Sequence, residues 1–139
     1  MSRRTVLLDT GPIVAFLDAA DQWHLECRDA WREVADKCVT TEAVVTEACH
    51  LIGRSRATSV LALEFLLAAE IPILGLEPPL HEYAAHLMNR YADLPMDYAD
   101  ASLVAVADAL KIGAVFTMDR KGFRAYRRSR GSHFEILPG

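Results

Sequence analysis

Four carboxylates stand where apolar runs end or turn: Asp9 after TVLL, Glu47 within EAVVTEACHLI, Asp100 in MDYADASLVAVA and Asp119 after AVFTM. A fold that packs strand ends side by side would carry such side chains to one place. Negative charges gathered there repel one another unless cations join them. The chemistry this supports is the binding of a hard divalent metal by oxygen ligands. Asp9 is the sharpest case, because a charge directly after a buried strand is costly unless something positive meets it; helix capping is the other role open to it. Asp97 and Asp100 are three apart on a predicted helix, so their side chains lie about 60° apart around its axis. Capping accounts for Asp97, whereas Asp100 runs into ASLVAVA, where a metal or a base would justify it. Glu47 is flanked by Val44, Val45, Ala48, Leu51 and Ile52, which predicts a half-buried face, while Glu42 in the first turn is explained by the helix dipole. Asp119 has Thr117 two residues before it as a hydroxyl donor, and a plain turn role is its alternative.

The elements that must position these groups read as an alternation of strands and helices. Thr5 to Leu8 is a buried strand, followed by a helix from about Pro12 to Asp18 and an amphipathic helix over Trp23 to Ala35. Lys37 to Thr40 is a short strand; Thr41 caps a helix that runs through Glu47 to Ile52 and stops at Gly53. GRSRA at 53–57 reads as a turn between helices. Thr58 to Ala69 is a helix apolar on nearly every side, which should be central or covered by a second chain. Pro72 to Leu76 is a strand, Leu80 to Tyr91 a helix, and Asp97 to Leu110 a helix ended by Gly113. Ala114 to Thr117 and Phe134 to Leu137 complete the strands. Short continuous apolar strands alternating with helices predict an α/β fold with helices on both faces of a parallel sheet. Sites in such sheets form beyond the carboxyl ends of the strands, where Asp9 and Asp119 fall.

The 139 residues fit one domain with one core, and no linker or repeat divides them. A hydrophobic content of 52 % and a mean hydropathy of +0.12 are high for a chain of this length, and predict that a partner covers some apolar surface. Cys27, Cys38 and Cys49 form no CxxC pair and read as reduced core or helix residues. The apolar start is broken by Asp9, too early for a signal sequence, and SVLALEFLLAAEIPILGL is interrupted by Glu64, Glu70 and Pro72, so no membrane span and a cytoplasmic protein are expected. Net charge is −4, unevenly spread: residues 5–119 hold 7 Lys/Arg and 18 Asp/Glu, the two ends 8 and 1. Arg120, Lys121, Arg124, Arg127, Arg128 and Arg130 follow Asp119 directly, with Phe123 and Tyr126 among them. Such a run can contact a phosphate backbone, or it can be a solvated C-terminal face.

Competing motifs fare poorly. AspThrGly at 9–11 occurs in aspartic proteases, but those are all-β folds with a second copy, and there is none here. GRSRA follows a helix rather than a strand and lacks the last Gly of a serine elbow; a DxDx phosphatase would need Asp at position 11, which is Gly. His24, His50, His81, His86 and His133 show no paired ligand spacing, and Phe16, Trp23, Trp31 and Phe65 fall at spacings typical of packing.

LLDTGPI near the start, a Glu47 helix after VTT, then ADASLVAVA and FTMDRKGF together resemble the PIN-domain nucleases, and especially the VapC-type toxins of prokaryotic toxin–antitoxin pairs. The resemblance covers essentially the whole chain. It implies a three-layer α/β/α PIN fold with a mainly parallel sheet of four to five strands over residues 1–139, and a Mg²⁺-dependent endoribonuclease, Mn²⁺ being a possible substitute. It further implies that Asp9, Glu47, Asp100 and Asp119 are the functional acids, Asp9 and Asp100 the direct metal ligands, and Asp97, Thr10 and Thr117 accessory groups. Hydrolysis leaving a 5′ phosphate and a 3′ hydroxyl is the expected outcome, with RNA held by Arg120, Lys121, Arg124, Arg127 and Arg128. A VapB-like antitoxin and a homodimer are the implied partners; the apolar helix Thr58 to Ala69, with the helix before it, is the candidate surface for either, ordinary core being the alternative. A noncatalytic PIN-like module that binds RNA or protein is the alternative; loss of an acidic position would be its mark, and all are present.

Overall fold

The computed structural model describes residues 4–54 and 58–139; positions 55–57 of the GRSRA turn lie outside the described residues. Five parallel strands form one sheet in the order β3-β2-β1-β4-β5. They are β1 (Val6–Leu8), β2 (Cys38–Thr41), β3 (Ile73–Leu74), β4 (Ala114–Phe116) and β5 (Glu135–Leu137). The central strands β1 and β4 are buried along their whole length, as expected of parallel strands covered on both faces. Leu7 lies opposite Val39 on one side and Val115 on the other.

Helices α1 (Thr10–Leu17) and α2 (His24–Val34) link β1 to β2, and α3 (Glu42–Gly53) and α4 (Val60–Ala68) link β2 to β3. Helices α5 (Pro78–Arg90) and α6 (Tyr98–Leu110) then carry the chain back across the sheet to β4. Right-handed crossovers place helices on opposite faces when the direction of travel reverses, which produces the three layers. Phe16, Trp31 and Phe65 pack together on one face with centroids 5.1–5.6 Å apart, and Trp31 reaches Phe116 of β4. On α6, the run from Ala101 to Ala107 is entirely buried, which fits its apolar sequence.

Several expectations are corrected. Helix α6 ends at Leu110 as expected, but its stop is Lys111, which takes the left-handed conformation at φ 57°, and not Gly113, which leads into β4. β3 is shorter than Pro72 to Leu76: Ile73 and Leu74 lie in register with Thr40 and Thr41 of β2, and Pro72 adds a carbonyl that accepts from the Thr40 N–H at 3.0 Å. Helix α4 is one-sided: Ala62 and Leu66 are buried, while Leu67 is 61 % exposed. A further helix, α7 (Arg120–Ala125), occupies the basic segment that hydropathy periodicity had left without structure.

Cys27 and Cys38 are buried thiols and Cys49 is half-buried; all three are free. Among the described residues, no helix is long and apolar enough to cross a membrane.

Candidate active site

The chain reverses direction at the middle of the sheet, between β1 and β4, and this is where an open α/β sheet leaves a crevice at its carboxyl edge. Asp9 is the first residue past β1. Its backbone N–H donates to the Phe116 carbonyl at 3.0 Å, extending the ladder by one bond and fixing the carboxylate at the crevice. The side chain caps α1, with Oδ1 accepting from the Thr10 N–H at 2.8 Å, so the capping and functional readings of Asp9 are both open to the same group. Oδ2 accepts from the Thr117 hydroxyl at 2.6 Å, and Thr117 Oγ1 in turn accepts from the Asp119 N–H at 2.9 Å. Thr117 thereby joins two acidic positions 110 residues apart in sequence.

Asp119 caps α7, its Oδ1 accepting from the Gly122 N–H at 3.1 Å. A Cβ at position 122 would collide with that carboxylate, so glycine is what lets the turn close. Asp97 and Asp100 form a reciprocal capping box at the start of α6: Asp97 Oδ1 accepts from the Asp100 N–H at 2.8 Å, and Asp100 Oδ2 accepts from the Asp97 N–H at 3.3 Å. Glu47 is half-buried one turn into α3.

Burial and mutual repulsion dominate the electrostatics. Asp9, only 7 % exposed, is pushed up to about 6 by burial, with Asp119 and Asp97 adding repulsion against the bonds from Thr117 and Thr10. Asp100 is raised more strongly, by burial first and then by Asp9 and Asp97. Glu47 is raised by burial, then by Asp97 and Asp9. Among the described residues, the charges acting on these three carboxylates are other carboxylates, not Lys or Arg. The hydroxyl of Thr10 is buried there without a hydrogen bond of ordinary length, although it lies on the side of Glu47 and favours that residue's charge.

The donor set is therefore oxygen only, net negative and without an internal counter-charge, which suits a hard divalent cation. Among the described residues, no three His, Cys, Asp or Glu groups close around a common point. A protein nucleophile is a poor substitute, since Cys27 is pushed up to about 11 and Cys38 to about 12 by burial.

Other positioning groups were not visible as such in the sequence. Tyr126, the buried residue that directly follows α7, points its hydroxyl at Asp100 Oδ2 from 3.4 Å, and its own ionisation is pushed up by burial and by Asp100. The Thr40 hydroxyl donates to the Leu8 carbonyl at 2.8 Å, tying β2 to the end of β1. Ser102 donates to the Ala99 carbonyl at 2.7 Å, which leaves Thr41 as the donor to Ser102 Oγ at 2.7 Å and links the start of α3 to the start of α6. Buried hydroxyls beside strand ends are the one signal that could have flagged them.

The basic residues after Asp119 are divided. Arg120 pairs with Glu26 at 2.8 Å and lies over the Trp23 ring; Arg127 donates to the carbonyls of Arg124, Ala125 and Tyr126 at the end of α7; Arg128 reaches the His133 carbonyl and packs on Phe134. Phe123 and Tyr126 are core residues. Lys121, Arg124 and Arg130 are exposed.

A family model for the PIN domain matches residues 6–129. The chain is 29 % identical over 135 residues to Ribonuclease VapC26 of Mycobacterium tuberculosis, covering 96 % of this chain and all of that one. Among solved structures it is similar to VapC20 of the same organism, a toxin that cleaves the sarcin–ricin loop, with a TM-score of 0.76 at 20 % identity over 85 % of this chain and 94 % of the other. It is also similar to a chain of a toxin–antitoxin complex from Klebsiella pneumoniae, with a TM-score of 0.65 at 17 % identity over 95 % and 100 % of the two chains. With the five-stranded parallel sheet and its acidic crevice in place, the match over most of its length establishes that this chain belongs to the PIN domain family.

Proposed function

We propose that residues 1–139 form a single PIN domain that hydrolyses RNA phosphodiester bonds as a divalent-metal-dependent endoribonuclease, and that it is the cytoplasmic toxin of a pair neutralised by a small VapB-like antitoxin. The observation that carries this reading is the acidic crevice: Asp9, Glu47 and Asp100 are raised by burial and by neighbouring carboxylates, and among the described residues no cation is seen to act on them. The likeness to a VapC ribonuclease along the whole chain supports the substrate class, and toxin–antitoxin complexes among the similar structures support the partner.

In this reading Asp9 and Asp100 hold Mg²⁺ or Mn²⁺, with Glu47 and Asp119 completing the acidic site. The bound ion would supply activation of water and neutralisation of the charge that develops on phosphate and leaving oxygen. The chain's own part is positional. Thr117 holds Asp9 and Asp119 in fixed relation, and Tyr126 orients Asp100. The Asp97 box fixes the first turn of α6, from which Asp100 projects. Lys121 and Arg124, exposed on α7 directly after Asp119, are the groups that meet the RNA backbone.

The test compares the purified chain with Asp9→Asn and Asp100→Asn on total RNA in Mg²⁺, Mn²⁺ or EDTA. Cleavage should require the metal and both carboxylates. Cleavage that survives EDTA or both substitutions sinks the mechanism, and RNA binding without turnover would favour the noncatalytic module. Growth arrest on expression without a partner, relieved by the cognate antitoxin, tests the toxin role.

A further inference from the structure

Beside the carboxylates, α3, β3 and the first residues of α5 and α6 enclose a groove of about 650 Å³. Leu74 and Leu76 give it an apolar floor, while Glu42, Thr46, His81 and Tyr98 stand at its walls. We propose, on the basis of the nuclease reading above, that this groove takes one unstacked RNA base next to the scissile phosphate, stacked on Tyr98 and read at its edge by Glu42.

Continuity is the first argument. Glu47 and Asp97 line the groove and also belong to the acidic crevice, so a strand held at the carboxylates passes directly over the groove's mouth. The sign of the charge then selects which part of the strand enters. Among the described residues the lining holds three carboxylates, Glu42, Glu47 and Asp97, beside His50 and His81 and no Lys or Arg, so with neutral imidazoles a phosphate is repelled and a neutral base is not. Sequence-reading proteins hold splayed RNA bases by such stacking on exposed aromatic rings.

Tyr98 provides the ring. It is 38 % exposed, and it lies nearly parallel to His81 at a centroid distance of 6.0 Å and an interplanar angle of 19°. Its hydroxyl is 3.3 Å from His81 Nδ1, which holds the ring in place before any ligand arrives. Glu42 provides the edge contact. Its carboxylate lies so close over Gly75 that any side chain there would strike it. A carboxylate there accepts hydrogen bonds from base N–H groups: guanine offers its N1–H and amino group side by side, whereas uracil has a single N3–H flanked by carbonyl oxygens that a carboxylate repels. The groove should therefore favour guanine over uracil.

The experiment measures Mg²⁺-dependent cleavage by the full chain on short single-stranded RNAs that differ in one base, placed on either side of the cut in turn. At one of these positions the wild type should cut the guanosine substrate better than the uridine substrate. Tyr98→Ala should raise KM roughly tenfold with kcat changed little, since base stacking is lost and the metal site is not. Tyr98→Phe should restore most of it. Glu42→Gln should narrow the differences among the bases, and Thr46→Trp should fill the groove and reproduce the Tyr98→Ala effect.

Emission of 2-aminopurine at the flanking position provides a readout on the wild-type protein alone, and should be quenched on binding. Unchanged KM and base preference in Tyr98→Ala and Thr46→Trp, or an unquenched fluorophore, overturns the proposal and leaves the nuclease reading intact. A change in oligomeric state or antitoxin binding with base preference unaltered makes the groove a protein interface, and also overturns it. A wild-type chain that cuts no RNA overturns both.

Discussion

The acidic crevice and the basic segment meet in sequence at Asp119 and Arg120, yet the fold treats their charges in opposite ways. Arg120 has Glu26 and the Trp23 ring, Arg127 the carbonyls that end α7, and Arg128 the His133 carbonyl and Phe134. In the crevice, by contrast, carboxylates face carboxylates, and among the described residues it is hydroxyls and backbone N–H groups that soften the repulsion. A charge the fold has already satisfied serves the fold. A cluster held against its own repulsion is where an external ligand of opposite charge should bind.

The largest effect should come from the acidic side. Asp9→Asn or Asp100→Asn should lower cleavage by roughly a thousandfold, the loss of several kcal/mol of charge stabilisation. The melting temperature of the metal-free protein should hold or rise, because repulsion has been removed. A marked drop in melting temperature would mean that these carboxylates are structural, and would erase the contrast with the arginines.

Thr117→Val should cost about 10- to 100-fold in activity, as loss of a group that orients metal ligands does. Titrating Mn²⁺ against the variant checks this, since metal affinity should fall in parallel. A normal affinity would show that Asp9 holds its position without the 2.6 Å bond.

The crevice also sets a pH dependence. Asp9 rises from 3.8 in the unfolded chain to about 6 when folded, so between those values the native state holds more protons and stability falls as pH increases. The loss from Asp9 is about 3 kcal/mol, complete somewhat above pH 6, and Asp100 extends the decline to higher pH. Thermal melts of metal-free protein from pH 4 to 8 should show this slope, Asp9→Asn should flatten it, and Mg²⁺ should stabilise most at the upper end. A flat profile in the wild type would mean that the crevice is already compensated.

The smallest effects test the basic side. Replacing Lys121 or Arg124 with Ala should reduce the slope of log affinity for RNA against log salt by about one each. Arg120→Ala should leave that slope unchanged and cost less than about 1 kcal/mol of stability, as expected of a partly exposed pair. Equal salt effects from all three would dissolve the division among the basic residues.

Much of this was legible from local pattern. The buried strand before Asp9, the Thr41 cap, and the apolar course of α6 after Asp100 are all short-range regularities, and the structure reproduces them. Helix α7 was not legible: six residues containing Gly122 give no periodicity, and it exists because Asp119 caps it and Phe123 is buried beneath it. Lys111 misled for a related reason, since Gly113 is the conventional stop signal, yet α6 ends two residues earlier with Lys111 in the left-handed region.

The sequence by itself determined the alternation of elements, the order of the acidic positions and the oxygen-only character of their chemistry, because these depend on residue type and short spacing. Tertiary structure alone decided that Thr117 bridges Asp9 to Asp119, that Tyr126 turns toward Asp100, and that three of the six clustered basic residues are engaged within the fold. The reason is physical: a charge's partners are set by which elements the sheet order makes neighbours, and that order joins β1 to β4 across more than a hundred residues of chain.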